Sequence, residues 1–180
     1  MLAILTMKKL IPLLLVVSCM TFSAPCMAKS VEAGSVWLGG QLGFDSKMGG
    51  RVGGSDTLLA VGAEVEYALE SRIGIFARGI FGLGDTQAIK LETGAKYRFT
   101  GIDFPISPYV SAHLRTGHLL DVMGANLWSI GAGFGGGVDY FLTRHFTAGL
   151  DVTFDLGSTL GERPAGYNTT DVVVSARYSF

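Results

Sequence analysis

Val172-Val173-Val174-Ser175-Ala176-Arg177-Tyr178-Ser179-Phe180 ends the sequence, and its character alternates residue by residue. Val172, Val174, Ala176, Tyr178 and Phe180 share one parity; Val173, Ser175, Arg177 and Ser179 share the other. Successive strand side chains point to opposite faces, so one face is apolar and ends in two aromatics while the other carries an arginine. This is the pattern of a strand with lipid on one side and a polar barrel interior on the other. An amphipathic edge strand of a soluble sandwich is the competing reading, and the rest of the chain must decide between them.

The same period of two recurs in seven earlier segments, and a 3.6-residue period is absent. They are Val36 to Phe44, Leu59 to Leu69, Ile73 to Leu83, Ile89 to Phe99, Pro108 to Arg115, Trp128 to Tyr140 and Phe146 to Leu156. The fourth is the clearest. Ile89, Leu91, Thr93, Ala95, Tyr97 and Phe99 face one way, against Lys90, Glu92, Gly94, Lys96 and Arg98. No soluble core accepts the second set as its buried face. In the third segment the parity turns Phe76 and Ile80 inward with Arg78. Eight tilted strands of this length suit an apolar band of ~25 Å, and an even number puts both chain ends on one side, the periplasmic one.

The connectors are expected to be long at 45–58, 84–88, 116–127 and 157–168 and short at 70–72, 100–107 and 141–145, long outside and short inside. Outward aromatics sort by strand end. Tyr67, Tyr97, Phe99, Tyr140, Phe146, Tyr178 and Phe180 fall at the periplasmic rim, and Phe44, Phe81, Trp128 and Phe154 at the outer rim. Two aromatic girdles fit the two interfaces of a bilayer, whereas a soluble sandwich gives no reason for the sorting. The expected fold is therefore all-β, an eight-stranded antiparallel up-and-down transmembrane barrel.

Lys8 and Lys9, the apolar run Leu10 to Val17 and small residues up to Ala28 form a secretory signal peptide, with cleavage expected after Ala28. Residues 1–28 are then the signal and 29–180 the barrel domain. Met7 is an alternative start, and Val16-Val17-Ser18-Cys19 offers a lipidation site against the plainer reading of a signal-peptide cysteine. Both cysteines lie in the removed part, so the mature barrel has no thiolate metal site and no disulfide. The formal charge of −1 gives no basic excess for nucleic acid.

The inward parity carries Glu64, Glu66, Glu92, Asp139, Asp151, Asp155 and Asp171 against Arg78, Lys90, Lys96, Arg98, Arg115 and Arg177. A narrow eight-stranded barrel holds little beyond its own side chains, so near-balanced charges predict a paired plug. A charged path for small solutes is the alternative. Gly131, Gly133, Gly135 and Gly137 make room for bulky neighbours such as Trp37 or Tyr109, and no helix follows them to make a phosphate loop. Ser111 and His113 share a face, with Glu92 a possible third member of a hydrolase set, but a satisfied interior serine and histidine is the simpler reading. No metal-ligand spacing joins His113, His118 and His145, and no catalytic, cofactor or metal residue is assigned.

Gly-Gly-Gly-Val-Asp-Tyr-Phe-Leu-Thr (135–143) and Ser-Pro-Tyr-Val-Ser-Ala (107–112) resemble the sixth and fifth strands of the small porin-like barrel family, the opacity-type and OmpA/OmpX-type membrane domains. The resemblance covers nearly all of residues 34–180. It implies a Gram-negative outer-membrane location, contact with outer-membrane lipid, and a C-terminal strand read by the assembly machinery through Tyr178 and Phe180. It further implies a non-enzymatic surface role, with the loops 45–58, 116–127 and 157–168 meeting host or surface ligands. A narrow channel is the alternative and a lipid A acyl hydrolase the lesser one; that enzyme's His-x-Ser order is not matched by Ser111-Ala112-His113. A peptidoglycan-binding role is not expected, since no such domain follows Phe180. Mass spectrometry of the mature protein is expected to find Lys29 first; an N-terminal lipidated Cys19 would replace that reading.

Overall fold

The computed structural model describes residues 31–50, 57–84, 87–99, 105–122, 125–160 and 164–180, without the side chains of 47–50, 119–122, 125 and 126. The expected signal peptide and Cys19 lie outside the described residues. Eight strands run in order: β1 Val36–Gly50, β2 Thr57–Ala68, β3 Ile73–Leu83, β4 Gln87–Arg98, β5 Ile106–Val122, β6 Ala125–Phe141, β7 Phe146–Leu160 and β8 Gly166–Ser179. Each pairs antiparallel with the next, and β1 closes on β8. The closing ladder runs from Trp37 opposite Ser179 to Lys47 opposite Thr169, so the terminal strand of the sequence is the seam. Beyond it, Phe180 N donates to the Val36 carbonyl at 3.1 Å.

Parity then fixes the two surfaces. Leu42, Leu91, Leu114, Phe134 and Val174 are exposed on the outside, while the charged residues of the same strands are buried inside. The molecule is inverted relative to a soluble protein, as an apolar solvent requires. Phe76 and Ile80 point inward with Arg78. Of the aromatics expected at the outer rim, Phe81 and Trp128 stand toward the end away from the termini, here the distal end. Phe44 and Phe154 instead lie mid-strand because β1 and β7 run on past them, Phe154 opposite Phe134. Tyr67, Tyr97, Phe99, Tyr140, Phe146, Tyr178 and Phe180 stand at the terminal end.

The strands differ from expectation at the distal end. In place of long connectors at 45–58, 116–127 and 157–168, β1 continues to Gly50, β5 and β6 to Val122 and Ala125, and β7 and β8 to Leu160 and Gly166. Asp45, Leu58 and Tyr167, expected in loops, are buried ladder residues. The cause is general: ladder hydrogen bonds need no particular side chain, so a strand continues past the apolar band after its hydrophobic alternation has ended. The distal connectors that remain, 51–56, 84–86, 123–124 and 161–165, are no longer as a class than the terminal ones, 69–72, 99–105 and 142–145.

At the terminal end, the 142–145 turn is held by Thr143 Oγ1, which accepts from the backbone N–H of His145 (3.2 Å) and Phe146 (3.0 Å). Gly34, at φ 85°, turns the entering chain so that its N–H donates to the Ala68 carbonyl at 2.7 Å. Val31 is thereby laid across the mouth of the barrel.

Glycines separate the two surfaces sterically. A Cβ on inward Gly94 would run into the Ala112 carbonyl oxygen and lie 2.8 Å from His113 Cα, whereas one on outward Gly79 would meet nothing within 4 Å. Gly94→Ala is therefore expected to cost ~1–3 kcal/mol of overpacking, and Gly79→Ala to stay within ~0.5 kcal/mol of wild type. Urea unfolding of the refolded barrels reads both; equal midpoints for the two variants would contradict the assigned faces.

Candidate functional site

The lumen gathers most of the chemistry-bearing side chains among the described residues. Glu64, Glu66, Arg78, Lys90, Glu92, Lys96, Arg98, Arg115, Asp139, Asp151, Asp155 and Arg177 are all buried there, with Asp171 and Asp45. Burying one uncompensated charge costs several kcal/mol, so the pairing decides whether such a lumen is stable.

Three clusters form. Toward the terminal end, Lys96 Nζ lies 2.5 Å from Glu64 and 3.3 Å from Glu66, and Arg98 lies 2.5 Å from Glu66 and 3.5 Å from Asp139. Arg177 reaches Glu64 and Glu66 at 3.3 Å and also pairs with Asp139. Three cations meet three anions, from the four strands β2, β4, β6 and β8. Lys96 is further held between the rings of Phe76 (4.9 Å) and Tyr109 (5.2 Å), whose faces replace part of its lost hydration.

In the middle, Arg78 pairs with Glu92, and Arg115 lies 2.7 Å from Asp155 Oδ2 and 2.7 Å from Thr169 Oγ1. His113 Nε2 meets Asp155 Oδ1 at 2.7 Å and lies 3.9 Å from Glu92 Oε2. Register explains the gathering. Glu92 on β4 stands opposite Arg78 on β3 and Arg115 on β5, while Gly133 on β6 stands between His113 and Asp155. Toward the distal end, Lys90 pairs with Asp45 and lies 3.3 Å from Asp171; these two carboxylates face each other across the β1–β8 seam. Asp151 carries no ion pair but acts on Arg78 and Tyr109 through its charge.

Buried apolar clusters lie toward both ends. Val31, Trp37, Ala68 and Phe141 form the terminal cluster, with Trp37 edge-on to Phe141 at 6.1 Å. Leu58 and Ala88, with Leu127 against them, form the distal one. The expected partnering of the sixth-strand glycines with Tyr109 is found, since a Cβ on Gly137 would lie 2.6 Å from the Tyr109 hydroxyl; Trp37 instead packs on Phe141.

Ser111 and His113 do share the inward face of β5. The imidazole's ring nitrogen Nε2 is taken by Asp155, so nothing joins it to Ser111 in a nucleophile–base pair. Asp155 was not foreseen as its partner because it lies two strands away and only the ladder register reveals the contact. Asp45 could have been found by extending the parity of Val36 to Phe44 by one residue.

No family model matches the chain, and no curated protein matches it. Solved structures do. Neisserial surface protein A superposes with a TM-score of 0.69 at 16% identity, covering 82% of this chain and 99% of its own. The N-terminal β-barrel domain of Pseudomonas aeruginosa OprF gives 0.56 at 16% identity over 82% of this chain and 100% of its own. Ail, the attachment invasion locus protein of Yersinia pestis, gives 0.51 at 11% identity over 81% and 99%. Identities this low carry architecture and no activity. The chain is an eight-stranded transmembrane β-barrel with the architecture of the small outer-membrane barrels.

Proposed function

We propose that this protein is a non-enzymatic barrel of the Gram-negative outer membrane whose lumen is a side-chain plug and whose distal hairpin ends meet molecules outside the cell. The observation that supports the reading is the lumen: charged side chains pair across it, and apolar clusters lie toward both ends. A solute path needs a wetted lining, and side chains in mutual contact along the described lumen favour a plug. The terminal end faces the periplasm in this reading, with the aromatic rings at the two bilayer interfaces and Tyr178 and Phe180 presented for assembly. What varies without disturbing the ladder is then the distal connectors and the strand ends beside them, including the parts of 45–58, 116–127 and 157–168 that extend the sheet. Ail, of the same architecture, has been solved with the heparin analogue sucrose octasulfate, so such barrels do bind outside ligands.

The charged lining favours a second reading, a narrow channel. Planar-bilayer recordings of the refolded protein separate the two: silence is expected, and reproducible unitary steps would make the lining a path. Shortening the 51–56 connector is expected to leave a heat-modifiable barrel and to change binding to host-cell surfaces. A barrel that no longer folds after that deletion would assign those residues to the scaffold.

Arg177→Met removes the cation shared by Glu64, Glu66 and Asp139. It is expected to cost ~3–5 kcal/mol, because it strands buried carboxylates. A urea midpoint unchanged from wild type would mean that these groups are hydrated, and would count against the plug.

A further inference from the structure

Among the described residues the lumen buries eight carboxylates, Asp45, Glu64, Glu66, Glu92, Asp139, Asp151, Asp155 and Asp171, against six cationic side chains. The terminal cluster sets three carboxylates against three cations, and the other five carboxylates lie with three cations in the middle and distal part. In that part Asp45 Oδ1, Glu92 Oε1, Asp151 Oδ1 and Asp171 Oδ2 are buried without a hydrogen-bond partner. Arg78 Nη2 and Arg115 Nε are likewise unpaired there, and buried orphan atoms of this kind call for an explanation.

We infer that Glu92, His113 and Asp155 form a binding site for one divalent cation of the zinc class. The three offer ligand atoms that all lie within 4.8 Å of one another, and their side chains are 0% exposed. Arg78 holds Glu92 Oε2, the oxygen 3.9 Å from His113 Nε2, while Oε1 has no partner; Arg115 takes Asp155 Oδ2, leaving Oδ1 facing His113 Nε2. The ion takes the place of the proton between Nε2 and Oδ1, and His113 keeps its remaining proton on Nδ1. Arg78, Arg115 and Thr169 then orient the ligating carboxylates from outside, the usual arrangement around a metal.

Gly133 makes the space. It stands between His113 and Asp155 in the ladder, and a Cβ there would run into Asp155 Oδ1 and lie 2.6 Å from His113 Nε2, where the two groups meet. One imidazole and two carboxylates suit zinc and its first-row neighbours, whereas calcium needs six to eight oxygen ligands and magnesium a largely hydrated octahedron. The ion ties β4, β5 and β7 together across the lumen.

The test is metal content. The barrel is purified from outer membranes of cells grown with added zinc, passed over a chelating resin and measured by inductively coupled plasma mass spectrometry. About one zinc per barrel is expected, kept in the double variant His118→Gln/His145→Gln and reduced at least tenfold in His113→Gln. Zinc-free wild-type barrel, or zinc lost with His118 and His145 instead, overturns the site. If His113→Gln yields no folded barrel, X-ray absorption of the zinc-loaded wild type decides: imidazole scattering supports the assignment, and a shell without it overturns it.

Discussion

Everything in this molecule depends on the hydrogen-bonded closure of β1 on β8. In an apolar surrounding each unpaired backbone N–H or C=O costs several kcal/mol, so an open edge along either strand would be prohibitive. Closure removes both edges together. It also removes any choice about the side chains: once the ladder is a ring, parity sends every second residue into a narrow tube. The charges of the even-numbered β4 residues and the odd-numbered β5 residues enter that tube because of ladder geometry, whatever their desolvation costs.

The tube answers with mutual pairing. Glu66 is shared by Lys96, Arg98 and Arg177, and Asp155 by His113 and Arg115, so removing any one partner exposes another. Rings of Phe76, Tyr109 and Tyr167 lie against the cations and give polarizable contact where water would otherwise stand. Glycines supply the volume. The inward glycines of β6 would each collide with a neighbour if they carried a Cβ, whereas outward Gly40 and Gly79 have room to spare. Packing density thus belongs to the inner surface, while lipid fills the outer one.

At the distal end the balance of forces changes along a single strand. Within the apolar band the outward residue must be hydrophobic. Beyond it either face can be polar, and the ladder persists because its bonds are between backbones. Asp45 and Thr169 therefore remain in register although the alternation that announces a strand has ended. Hydrophobic pattern marks where lipid is; it does not mark where the sheet stops.

The sequence by itself determined the inside-out polarity, the number of strands and almost every inward or outward assignment, because a period of two reports lipid contact on one face wherever the strand is immersed. Lys90, Glu92, Lys96 and Arg98 could be assigned to one lumenal face from β4 alone. The tertiary structure decided who meets whom. That Arg177 joins Glu64, that Lys90 spans to Asp45 and Asp171, and that Gly133 opens the place where His113 touches Asp155 depend on register and on the reach of long side chains across the tube. Parity is a local property that each strand carries alone; register is set only when all eight close.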